Sequence, residues 1–89
     1  MKSVVCTKLG NPELLEIKDT DKPQVSNDHV LVKVEAAGVN YPDALLVQGK
    51  YQVVVEPPFI PGNEVCGYIE EVGENVNLEI GTKVIGLPE

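Results

Sequence analysis

The chain contains no arginine. That absence removes the planar guanidinium fork that grips phosphate, including the 2′-phosphate of NADP, from any site these residues build. Lysine alone supplies positive charge, 7 residues against 14 acids, for a net charge of −7. Such a surface repels a nucleic-acid backbone, so no nucleic-acid partner is expected. Alanine is scarce at 3 residues, whereas valine at 15 and isoleucine at 5 together exceed a fifth of the chain. Branched side chains fit a pleated surface and lose rotamer freedom in a helix, so strands are favoured. No apolar run approaches the length that spans a bilayer, and no membrane is expected. The length, 89 residues, is too short for a dinucleotide-binding sheet plus a substrate domain. Two cysteines without a signal-peptide pattern do not form a disulfide framework; reduced thiols and a cytoplasmic location are the expectation.

Most catalytic signatures are missing as well. There is no GxGxxG, no Walker-type loop, no CxxC or HxxxH pair and no serine in a nucleophile elbow. The only histidine, His29, sits beside Asp28 at a turn and reads as a surface residue rather than a zinc ligand. Cys6 and Cys66 fall in the middle of β-rich runs, with no histidine nearby in sequence to activate either thiol, and read as small core residues.

What remains is the composition of a globular domain, 43% hydrophobic and 24% charged. Turn residues recur at short intervals, from Gly10-Asn11-Pro12 to Gly81. The β-rich runs between them predict five strands: Lys2 to Thr7, Leu14 to Lys18, His29 to Ala37, Val65 to Val72 and Thr82 to Leu87. In the third, Val30, Val32, Val34 and Ala36 are expected on one face and Lys33 and Glu35 on the other. In the fourth the alternation fails, because Ile69 and Glu71 share a parity, and Gly67 predicts a bulge or bend there. Several short strands separated by turns predict a small barrel or sandwich. One segment differs. Pro42 to Gln48, with proline at its start and Gly49 just past its end, predicts a helix of about two turns with Asn40 as its cap. No repeats, low-complexity tracts or linkers occur. The chain stops soon after a strand with no closing tail, and a fragment is expected.

The ordered motifs of this chain carry a resemblance. Ala36-Ala37-Gly38-Val39-Asn40-Tyr41-Pro42-Asp43 is followed by Gly49-Lys50-Tyr51, then by Pro57-Pro58-Phe59-Ile60-Pro61-Gly62-Asn63-Glu64-Val65-Cys66-Gly67, with Gly73 closing the turn after Glu70 to Val72. The opening Met1 to Gly10 and Asn11-Pro12-Glu13-Leu14-Leu15 fit the same pattern. The chain resembles the N-terminal GroES-like catalytic domain of the medium-chain dehydrogenase/reductase superfamily, in its zinc-independent, zeta-crystallin-type quinone oxidoreductase branch. The resemblance implies a mainly β fold, a partly open barrel with one short helix, lacking the Rossmann domain. It implies that residues 1–89 are the N-terminal part of the substrate-side domain, with the nucleotide-binding domain absent. Zinc-dependent members carry cysteine where this chain has Asn40 and histidine where it has Asn63. Neutral amides are poor zinc ligands, so no metal site is expected. Glu64, which survives from the zinc pattern, is expected as a structural hydrogen-bonding partner.

The implied chemistry is hydride transfer from NADPH to a quinone or conjugated enone. Without a metal, charge developing on the carbonyl oxygen must be met by hydrogen-bond donors. Asn40 and Tyr51 are the implied catalytic donors, and Asn40, Tyr41 and Asp43 the implied cofactor contacts. Leu45 stands where many relatives carry tyrosine, which bears on substrate preference. Each residue has a bland alternative: Asn40 as a helix cap, Tyr51 as a packing residue, Asp43 as a carboxylate complementing the helix dipole. Three function classes stay open: the oxidoreductase domain, a stand-alone binding module on the same scaffold, and a co-chaperonin. The polar stretch from Asp19 to Asp28 lacks the hydrophobic tripeptide that a co-chaperonin offers its ring partner. The chain alone is expected to bind NADPH poorly, to turn nothing over, and to self-associate through an unpaired sheet edge, as a homodimer or otherwise.

Overall fold

A computed structural model describes residues 1–88. The chain is mainly β with one α-helix among the described residues, and its two sheets stay open. It divides into two compact units, Met1–Asp21 with Val39–Gly62, and Lys22–Gly38 with Asn63–Glu89.

The first unit opens with an antiparallel pair, β1 (Lys2–Val5) and β2 (Glu16–Asp19), in register Lys2↔Asp19 to Val5↔Glu16. The predicted second strand began at Leu14, but that residue closes a 3-10 turn, Pro12–Leu14. Proline presets φ for such a turn, and the amides of Leu14 and Leu15 bond the carbonyls of Asn11 and Pro12 at 2.9 and 3.1 Å. Strand β1 also ends two residues early. Cys6 leaves β2 and bridges Phe59 through both backbone groups, at 2.8 and 3.2 Å. Cys6, 1% exposed, forms this unit's core with Val5 and with Val47 of helix α1 (Tyr41–Val47).

The second unit is a three-stranded antiparallel sheet, in spatial order β3 (Val30–Ala37), β4 (Val65–Val72) and β5 (Lys83–Gly86). Two register shifts interrupt the β3–β4 ladder. At the first, Leu31 pairs with Glu71 and Val32 with Ile69, so Glu70 is the extra residue. Consecutive residues on β3 point to opposite faces, and the bulge therefore sends Ile69 and Glu71 to opposite faces too. This resolves the failed alternation: Ile69 is 1% exposed and Glu71 lies in solvent. The sequence predicted a bulge or bend within this strand from the failed alternation and from Gly67, and the ladder has it. At the second shift Glu35 is extra, and Ala36 pairs with Cys66 while Val34 pairs with Gly67. Ala36 thus leaves the face it was expected to share with Val34.

Gly67 has a different task. A Cβ there would meet the carbonyl oxygen of Lys33, with the Lys33 carbonyl carbon at 2.9 Å and Val32 Cγ1 at 3.0 Å. A side chain does not fit where the two backbones cross this closely. On the polar face Lys33, Tyr68 and Lys83 form a cross-strand row; Lys83 sits 5.7 Å from the Tyr68 ring centre and 3.8 Å from the Glu35 carboxylate. The turn at Ser26–His29 is tied to the one at Gly73–Asn75, since the Gly73 and Asn75 amides bond the carbonyls of His29 and Asn27, both at 2.8 Å. The apolar face of the sheet is not filled. Val30, Val32, Val34, Val65, Val76 and Leu78 line an open hollow of about 740 Å³.

Candidate active site

The four residues implied as catalytic or cofactor-binding, Asn40, Tyr41, Asp43 and Tyr51, belong to the first unit and lie within α1 or at its ends. Asn40 is the helix N-cap, with extended backbone at φ −123° and ψ 164°. Tyr41 and Pro42 begin the helix, where the missing proline N–H costs nothing because first-turn amides lack helical partners. Asp43 reaches back: its Oδ2 accepts the Asn40 backbone N–H at 2.8 Å, and its own N–H donates to the Asn40 carbonyl at 3.0 Å. This is the returning arm of a capping box. The bland reading of Asp43 therefore holds at the helix start, and one carboxylate oxygen is committed there.

The other end closes as tightly. Gly49, at φ +70°, donates to the Leu46 carbonyl at 3.1 Å, and Lys50 donates to the Leu45 carbonyl at 2.9 Å. This pair of bonds is a Schellman motif, which needs the left-handed conformation that glycine adopts freely. Tyr51 follows directly, half-buried. The Gly10 amide bonds the Val47 carbonyl at 2.9 Å, which anchors the helix to the chain after β1. A helix of 7 residues is about 10 Å long. Asn40 and Tyr51 thus leave from its opposite ends. Asn40 is exposed, and Tyr41 is 76% exposed.

Asn63, Glu64, His29 and Cys66 lie in the second unit. Asn63 is exposed. The Glu64 carboxylate lies against Gly38, with Cδ and Cγ at 2.7 and 2.9 Å from where a Cβ would stand. The missing side chain at Gly38 is what makes room for it. His29 is exposed, and its Nδ1 shares a 2.6 Å hydrogen bond with Ser26 Oγ, as a surface turn residue. Both cysteines are free; Cys6 is buried as expected, but Cys66 is only half-buried. Among the described residues no group of three or more His, Cys, Asp or Glu is arranged to hold a metal ion, and no helix is long and apolar enough to cross a membrane. Sequence reasoning passed over Val53 and Val54, two large apolar side chains exposed just after Tyr51. The uncharged run from Tyr51 to Val55 was the available signal.

This geometry meets a family pattern. The alcohol dehydrogenase GroES-like domain family matches residues 26–88. The chain belongs to that family. Among its relatives, the quinone oxidoreductase-like protein 2 homolog of Nematostella vectensis is 38% identical over 97% of this chain and 24% of its own length. An alcohol dehydrogenase of Geobacillus stearothermophilus is 39% identical over 99% of this chain and 26% of its own length. A mycobacterial protein solved in complex with NADPH superposes with a TM-score of 0.87 at 36% identity, over 96% of this chain and 27% of that one. The GroES-like domain described here thus spans about a quarter of the length of these relatives.

Proposed function

We propose that this GroES-like domain is the substrate side of an NADPH-dependent quinone or enone oxidoreductase that works without zinc. The observation that carries the reading is Asn40, an exposed neutral amide at the N-cap of α1. Capping draws on the side-chain oxygen, whereas stabilising a developing oxyanion draws on the Nδ2 hydrogens, so the two roles do not compete. Asn40 and Asn63 both offer amides where zinc requires thiolate or imidazole.

The chain's own residues fit only the nicotinamide end of the cofactor. Asn40 and Tyr41 are exposed donors, and Asp43 keeps one carboxylate oxygen free of the Asn40 backbone amide. Nothing in the chain supplies a glycine-rich turn for the pyrophosphate. NADPH, when bound, supplies the hydride. Asn40 donates an N–H and Tyr51 its O–H toward acceptor oxygens, and the Tyr51 ring offers an aromatic face to a quinone. The nucleotide-binding part of a full-length protein is the required partner, and the 89 residues alone turn nothing over. Self-association through the outer edge of β5, which ends its sheet among the described residues, belongs to the same proposal. The free thiols fit a cytoplasmic location.

A chimera tests the reading: residues 1–89 replace the matching quarter of an NADPH-dependent quinone oxidoreductase. The chimera is expected to oxidise NADPH in a quinone-dependent manner, unaffected by chelators. Asn40→Ala is expected to lower kcat by about 10²–10³-fold, the usual cost of losing one oxyanion donor. Loss of activity on chelation, or an Asn40→Ala chimera with undiminished kcat, overturns it. Sustained quinone-dependent oxidation by the isolated chain overturns the requirement for a partner.

A further inference from the structure

We draw no further inference here: the strongest candidate, the open hollow on the apolar face of the β3–β4–β5 sheet, lined also by the hydrogen-bonded pair Ser26 and His29, carries nothing because nothing in the structure shows what covers it.

Discussion

Replacing Asp43 with alanine isolates what the carboxylate does for the site. The Asp43 Oδ2 to Asn40 N–H bond, 2.8 Å long and exposed, is the contact that closes the N-terminal turn of α1 from the side chain. Losing a helix-start side-chain bond costs about 0.5–2 kcal/mol. A helix of 7 residues has no independent stability in water, and this one relies on its two ends and on the burial of Val47. The loss is therefore expected as local opening. At 25 °C it corresponds to roughly 2- to 30-fold faster amide hydrogen exchange at Asn40, with smaller increases at Ala44 and Leu45. Asp43→Asn keeps an acceptor oxygen and gives up only the charge at the helix start, worth about 0.3–1 kcal/mol, so its effect should be the smaller. The Ile69 amide, bonded to the Thr82 carbonyl at 2.9 Å in the other unit, is the internal reference and should not change. Asn40 exchange in Asp43→Ala equal to that of the unaltered chain would refute the reasoning. So would acceleration at Ile69 matching that at Asn40, because the carboxylate would then be supporting the whole fold rather than one turn.

Two further outcomes follow from the second unit. Gly67→Ala drives a Cβ into the Lys33 backbone and should lower stability by about 1–3 kcal/mol, whereas Gly86→Ala, with nothing within 4 Å of its added Cβ, should leave it unchanged or slightly raised. Urea unfolding of the two variants side by side checks this, and equal midpoints would contradict it. Lys22 holds the Glu70 and Glu71 carboxylates at 3.1 and 3.4 Å. The hydrogen bond to Glu70, ahead of the opposing effect of burial, raises its pKa above the ordinary 10.5. A cation whose folded pKa is raised contributes stability that is complete below the unfolded value and fades as pH climbs through the folded one. Thermal melts above pH 10.5 should therefore drop more steeply for the unaltered chain than for Lys22→Met; the three side chains lie at the surface, so the difference is small. Parallel curves would remove the pair from any account of stability.

The strands and the helix were legible in the sequence wherever local chemistry and burial agreed. Val65–Val72 appears with its predicted bounds, and the helix starts one residue before the proline and stops two before the glycine that announced it. Asn40 was legible as a cap for the same reason, since cap chemistry is local. The failures are non-local. A bulge is a property of two strands, so the conflict between Ile69 and Glu71 showed that the ladder was irregular without showing that Glu70 was the extra residue. The Cys6–Phe59 bridge joins residues far apart in sequence, and it ends β1 early with no signal in Thr7 or Lys8. At the site, Asp43 was legible as a first-turn carboxylate, but its bond to Asn40 depends on backbone geometry. The exposure of Val53 and Val54 depends on what else packs, which no periodicity records.

The loop between β3 and β4, residues 38–64, carries Asn40, Tyr41, Asp43 and Tyr51 together. Outside α1 and the backbone contacts to Cys6 and Gly10, added length is inexpensive, since doubling a flexible loop costs only about 0.6 kcal/mol. Insertions and substitutions in this excursion can accordingly accumulate while the β3–β4 hairpin keeps its pairing. The scaffold and its chemistry are free to diversify at different rates.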